Sequence, residues 1–130
     1  MQPARLFHCT LAVILALSLL MALEAWAQNH HRYNPSAETV VKGTIESIAV
    51  PDAPRELVRI TVKSGDNEIV AELAPQKYLK EVGCELAAGD KVVLTGVKIK
   101  EGDKDLFLVR TLERGNDMFT FRGPEGQQAW

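Results

Sequence analysis

Few residues of this chain are of types that could do chemistry, and the clearest pattern follows a small-residue motif at residues 25–27. Gln28, Asn29 and His30 come directly after that Ala-Trp-Ala motif, which is of the kind that signal peptidase cleaves. If cleavage follows Ala27, His30 becomes the third residue from a free amine. Such a terminus can hold Cu(II) or Ni(II) in a square plane. The alternative is a polar lead-in whose histidines bind nothing.

Patterns for catalysis are missing from the sequence. Cys9 belongs to the N-terminal apolar region, so Cys84 is the only cysteine of the expected mature chain and cannot form an internal disulfide. The four nearest neighbours of Cys84 include no His, Lys or Arg that would lower its pKa, so we expect a buried, unreactive thiol. A Ser-His-Asp arrangement would need His30 or His31 from the lead-in, where rigid placement is lacking. We therefore expect a non-enzymatic protein without a cofactor.

The first 27 residues have the three parts of a secretory signal peptide. Residues 1–8 carry Arg5 and no acid, residues 10–23 are almost entirely apolar, and the Ala-Trp-Ala motif follows. The alternative is an uncleaved anchor, but a membrane-spanning helix needs about 20 apolar residues and Glu24 interrupts the run. We expect a periplasmic or secreted protein that has no stable membrane insertion after cleavage.

The remaining chain has about one hundred residues, a length that suits one small domain with one core. Its charge limits the classes of partner that it can bind. The formal net charge is −2, and bases alternate with acids along the chain. Binding to nucleic acid usually needs a concentration of Lys and Arg that displaces counterions from phosphates. The sequence therefore argues against a nucleic-acid partner.

Alternation of apolar and polar residues with period two predicts five strands. One helix is expected over residues 75–83, because proline suits the first helical turn and Gly83 suits the end. Gly43 and Gly96 each interrupt a strand, and we expect both to mark bends. The predicted strands begin near Glu38 and cover Val40–Ile48, Leu57–Lys63, Glu68–Leu73, Lys91–Lys100 and Asp105–Leu112.

Three strands, one short helix and two strands form the order of an OB-fold, a five-stranded Greek-key barrel with the helix between strands 3 and 4. A small open β-sandwich or an SH3-like barrel is the alternative, and the helix position favours the OB-fold. The expected organisation is a signal peptide at 1–27, an exposed lead-in at 28–37, a barrel at 38–121 and an irregular tail at 122–130.

Short motifs in a fixed order resemble a group of small secreted bacterial OB-fold proteins of largely unknown function. The resemblance extends from Tyr33 to Trp130. It implies a fold and a compartment but no enzyme activity. The motifs that carry it are Tyr33-Asn34-Pro35, Glu38, Gly43-Thr44-Ile45, Ala74-Pro75, Tyr78-Leu79, Gly83, Gly89-Asp90, Thr95-Gly96, Leu108-Val109-Arg110, Phe121-Arg122, Gly126 and Trp130.

Two surfaces are candidates for binding a partner. The second predicted strand directs Arg59, Thr61 and Lys63 outward on the side where OB-folds bind ligands, although the second and third strands lack the aromatic residues that stack on bases. Beyond the fifth strand, aromatic residues could contact another protein. Alternatively, Phe119 and Phe121 extend the sheet and Trp130 covers an apolar flank of the barrel. We expect a module that binds an envelope protein or a small ligand; the alternative is a metal-handling or enzyme accessory protein. The aromatic candidates are Phe119, Phe121 and Trp130.

Overall fold

The computed structural model describes residues 33–130, which form a mainly β unit with one short helix. The expected signal peptide and the Gln28–His30 motif lie outside these residues. A 3₁₀ turn at Pro35–Ala37 comes first. The other elements are β1 (Thr39–Ala49), β2 (Leu57–Ser64), β3 (Asn67–Pro75), α1 (Gln76–Glu81), β4 (Lys91–Glu101), β5 (Lys104–Arg114) and β6 (Asp117–Thr120).

All six strands belong to one sheet, in the order β3-β2-β1-β4-β5-β6, and neighbouring strands are antiparallel. In addition β3 pairs with β5 in parallel, through Ala71–Phe107 and Glu72–Leu108. The pairing of the first five strands therefore returns on itself and forms a ring. The mainly β character and the single helix between β3 and β4 are confirmed.

The expectation of five strands is wrong, because a sixth follows the fifth. The turn Gly115-Asn116 connects β5 to β6, and Gly115 adopts a φ of +61° that suits glycine. The short run after this turn pairs with β5 from Arg114–Asp117 to Thr111–Thr120. Four residues with little alternation do not predict a strand on their own, so the long partner β5 decides their conformation.

Two glycines allow close approaches between strands, as their positions in the predicted strands suggested. A Cβ at Gly43 would lie 2.5 Å from the carbonyl oxygen of Lys63, and a Cβ at Gly96 would overlap the carbonyl oxygen of Leu108. The β4–β5 register shifts at Thr95/Gly96, and the shift in β1 comes just after Gly43, between Ile45 and Ser47. Irregularities of this kind bend a sheet.

The core fills the ring with aliphatic side chains and is covered at one end by α1. Leu79 of α1 packs into the core, and the helix stops at Gly83, whose φ of +73° agrees with the predicted helix end. Within residues 33–130, no helix is long and apolar enough to cross a bilayer. Side chains that are fully buried include Ile45, Ile60, Val62, Leu73, Leu94, Val109, Leu112 and Phe121.

Candidate functional site

The outer face of β2 and β3 presents three cross-strand pairs, and it contains the residues that the sequence placed there. Arg59 pairs with Glu72, Thr61 with Val70, and Lys63 with Glu68. Lys63 is exposed, whereas Arg59 and Thr61 are half-buried. The alternation of a strand thus directs all three predicted candidates to one surface.

Arg59 is the centre of the charged end of this face. Its Nη2 atom lies 3.0 Å from Oε2 of Glu72 and 2.9 Å from Oε2 of Glu101, and Nε lies 3.2 Å from the same Glu72 oxygen. The Glu72 side chain is only 11% exposed, and a carboxylate removed from water needs such compensation. Glu101 is 48% exposed. One guanidinium therefore joins a nearly buried carboxylate of β3 to an open one at the β4–β5 turn.

A depression of about 500 Å³ adjoins Arg59 and Glu72. One wall comes from the segment between β1 and β2, in which Val50 is 47% exposed. The depression therefore combines an apolar wall with charged side chains of both signs. Its remaining lining residues are Ala49, Pro51, Arg55, Glu56 and Leu57.

The other end of the face carries a pair of carboxyl groups. A hydrogen bond between Glu46 and Glu68 raises the pKa of Glu46, while the positive charge of Lys63 acts in the opposite direction. Both acids are exposed. Between the two charged ends lie only the small or aliphatic side chains of Thr61 and Val70, so the face has no aromatic platform for stacking a base.

The C-terminal aromatics pack onto the ring. Phe121 is fully buried, so its ring belongs to the core, as the alternative of packing on the barrel expected, because large aromatics stabilise the fold when they can be covered. Phe119 is half-buried against the same core. The Trp130 ring lies 5.9 Å from that of Tyr78, and the Arg122 guanidinium lies 5.6 Å from the Trp130 ring centroid. Of the three candidates, Phe119 and Trp130 keep some exposure.

A second arginine–carboxylate site, which the sequence did not single out, connects β5 to the residue that directly precedes β1. Arg110 contacts both carboxylate oxygens of Glu38, at 2.9 and 2.7 Å, and the Tyr33 hydroxyl donates to Glu38 at 2.6 Å. Tyr33 packs against Gly126 of the tail, where an added Cβ would overlap it. We call these four residues the clasp.

Electrostatics in the clasp follow from these contacts. Hydrogen bonds from Arg110 and Tyr33 lower the pKa of Glu38. Burial and the neighbouring Glu38 carboxylate raise the pKa of Tyr33 to about 12. Tyr33, Glu38, Arg110 and Gly126 all belong to the motifs by which the sequence resembles a group of small bacterial proteins. Those motifs were the available signal, but they do not show that these residues meet.

The structure tests the expectation for Cys84 but not the expectation of a copper site. Cys84 is buried, as expected, and burial raises the pKa of its thiol to about 11. Gln28, Asn29 and His30 lie outside the described residues. Within the part of the chain from Tyr33 onward, no group of three or more His, Cys, Asp or Glu side chains could hold a metal ion.

Comparison with protein families matches residues 37–119 to the MamS/MamX magnetosome protein family. The chain belongs to this family. The match is consistent with the resemblance to small bacterial proteins, and the family's description names no fold. It includes Glu38, Arg59, Glu72, Glu101 and Arg110, but ends before the tail. No curated protein matches the chain.

Proposed function

We propose that this MamS/MamX family protein is a non-enzymatic OB-fold module that docks a partner protein. The fold assignment rests on the ring order β1-β2-β3-β5-β4, with the helix between β3 and β4. This is the arrangement of a five-stranded Greek-key barrel. The sixth strand extends that barrel at β5.

The observation that carries the proposal is the depression at Arg59. It brings together the segment after β1 and the outer faces of β2 and β3, and Arg59 in its lining contacts Glu101 at the β4–β5 turn. OB-folds bind their ligands with this combination of strands and loops. The aromatic residues that serve nucleic-acid recognition are missing from β2 and β3, which favours a protein partner.

Charge and shape suggest the chemistry of that partner. Two carboxylates (Glu56 and Glu72) and two guanidiniums (Arg55 and Arg59) line the depression beside an apolar wall, and the Glu101 carboxylate contacts Arg59. A partner segment with a basic side chain beside an apolar one would complement this arrangement. The name of the family points to the magnetosome as the place to look for the partner. The expected signal peptide supports delivery across a membrane, to the periplasm or beyond.

The test is site-specific photo-crosslinking in a magnetosome-containing cell fraction. A photoreactive amino acid replaces Val50, which borders the depression, or Met118, which is 60% exposed on β6 and borders neither the depression nor the cavity at the start of β3. We expect a defined adduct from position 50 only, and its yield should fall at least fivefold when Glu101→Lys is added. Equal yields from the two positions, or a yield that Glu101→Lys leaves unchanged, would contradict the docking face.

A further inference from the structure

At the first residues of β3, and thus at the end of that strand away from α1, lies a cavity of about 610 Å³. Its floor is apolar and is made by the inward-facing side chains of Val41, Ile69 and Phe107, which also pack against the core. Its rim is polar and includes Thr39, Asn67, Glu68, Lys98, Lys104 and Asp105.

The cavity lies where β3 and β5 separate. Their parallel pairing begins only at Ala71–Phe107. Before that point, residues 67–70 pair with β2 and residues 104–106 pair with β4. On their other sides, these two segments have no strand partner among residues 33–130. Two strand edges therefore border the same apolar floor.

The backbone groups along these edges are positioned to bind a strand. Both hairpins close through two-residue turns, Gly65-Asp66 and Gly102-Asp103. In an antiparallel ladder, paired residues alternately bond to each other and direct their N–H and C=O groups away. The alternation directs the groups of Glu68 away from β2 and those of Asp105 away from β4. Both sets face the gap, and an unpaired edge of this kind is a template for another chain.

We propose that this gap binds an extended segment of a partner protein, which adds a strand between the beginnings of β3 and β5. Its peptide groups bond to the backbone of Glu68 and Asp105. Apolar side chains at alternate positions contact the floor, as in other cases of strand addition. This site lies away from the depression at Arg59 and does not depend on the proposed function.

The charges at the rim indicate which side chains the bound segment should carry. Asp105 is bound by Lys98 at 3.3 Å and by Lys100 at 2.7 Å, and Lys104 adds a third positive charge beside it. The β5 side of the gap thus carries a positive excess. Glu68 places a carboxylate on the β3 side. A segment with an acidic residue next to its alternating apolar positions therefore suits the gap when that residue lies on the β5 side.

The experiment titrates the isotope-labelled protein with a capped peptide that alternates valine and threonine and ends in aspartate. We expect shifts of the Glu68 and Asp105 amide resonances and at least tenfold slower hydrogen exchange at both amides. The amide of Arg59 serves as the internal control and should not move. Shifts confined to Arg59 and its neighbours, or the absence of any shift at millimolar peptide, would overturn the proposal.

Backbone recognition is tested by two matched variants. Glu68→Pro removes the N–H that faces the gap without removing a bond to β2, and should weaken peptide binding at least tenfold. Glu68→Ala keeps this N–H and should stay within twofold of the parent. Equal weakening by the two substitutions would overturn strand addition.

A second arm leaves the protein unchanged, in case Glu68→Pro fails to fold. The same peptide, N-methylated at the residues that face β3, should lose binding at least tenfold. Undiminished binding would contradict the proposal. Self-association of the protein that the peptide cannot displace would also overturn it, since the occupant would then be a second copy.

Discussion

Two arginine–carboxylate sites occupy different regions of one sheet and differ mainly in what surrounds them. In the clasp, the Arg110 and Glu38 side chains are 26% and 23% exposed, and Tyr33 covers them from the lead-in. In the depression, Arg59 is 40% exposed and its contact Glu101 is 48% exposed. The same two functional groups are thus mostly buried in the clasp and more exposed in the depression.

This difference separates a contact that stabilises the fold from one that can exchange partners. Glu38 accepts hydrogen bonds on both oxygens, from Arg110 and Tyr33. Exposed ion pairs contribute little to stability because water screens them, so Arg59–Glu101 can be rearranged by a partner at small cost. The clasp therefore suits a structural role, and the depression suits recognition.

The largest effect on the free energy of unfolding is expected at Gly96, which lies beside the clasp in the sheet. This residue pairs with Thr39 and Val109, the neighbours of Glu38 and Arg110 in sequence. In Gly96→Val, the added side chain would overlap the carbonyl of Leu108 and separate β4 from β5. We expect a loss of more than about 4 kcal/mol in the free energy of unfolding, measured by circular dichroism in urea.

Gly102→Val is the control for this substitution. Gly102 lies in an exposed turn with open space around it, and only its φ of +63° opposes a side chain. That conformation should cost about 1–2 kcal/mol. Equal destabilisation by the two valines would show that close packing of β4 on β5 is not what requires Gly96.

Next in size is the contrast between Glu38→Gln and Glu101→Gln. The first weakens hydrogen bonds from Arg110 and Tyr33 under partial cover, and should lower the free energy of unfolding by about 2 kcal/mol. The second weakens an exposed contact and should change it by less than about 0.5 kcal/mol. Chemical denaturation of both variants beside the parent measures the difference. A reversed order would remove the structural role that we assign to the clasp.

Lowering the pH should lower the stability of the protein through protonation of Glu38 in the clasp. Its pKa is lowered from 4.5 in the folded protein, mainly by Arg110. The resulting stabilisation is therefore complete above that value and is lost as the pH falls through the folded pKa. Urea unfolding between pH 6 and pH 2.5 should show a smaller decline for Glu38→Gln than for the parent protein. Parallel declines would contradict this link.

A smaller effect is expected at alkaline pH, from Tyr33. Burial raises its pKa from 10.0 to about 12, so its stabilising contribution is complete below pH 10 and is lost as the pH rises through the folded value. Tyr33→Phe should cost about 1 kcal/mol at neutral pH. It should also remove the absorbance step of tyrosinate near pH 12. Retention of that step in the variant would assign it to another group.

Alternation and turn residues were enough to predict most of the fold. β1 to β5 follow the period-two pattern, and α1 lies between the proline and the glycine that suggested its ends. β6 was considered only as an alternative, in which Phe119 extends the sheet, because its pairing with β5, rather than its own residues, determines it. Local patterns therefore predicted the long elements, and the edge strand needed its partner.

The candidate sites were less predictable because they depend on contacts distant in sequence. Alternation alone placed Arg59 on the outer face, but its partner Glu101 lies 42 positions further along the chain. Arg110 and Glu38 are separated by 72 positions. Only the register of β1, β4 and β5 brings such pairs together. Sequence reasoning could find the outward residues but not the carboxylates that they meet.

The last prediction concerns Cys84, whose buried thiol can report how each site affects opening of the fold. Burial and a pKa of about 11 should make the thiol slow to react in the native protein. If reaction requires unfolding, a loss of about 2 kcal/mol in Glu38→Gln should raise the labelling rate roughly thirtyfold. Glu101→Gln should raise it by less than about threefold. Labelling with a chromogenic disulfide at pH 8 measures the rates. Reaction of the parent protein as fast as in denaturant would contradict the burial of Cys84, and equal rates in the two variants would show that the clasp and the depression do not differ in stability.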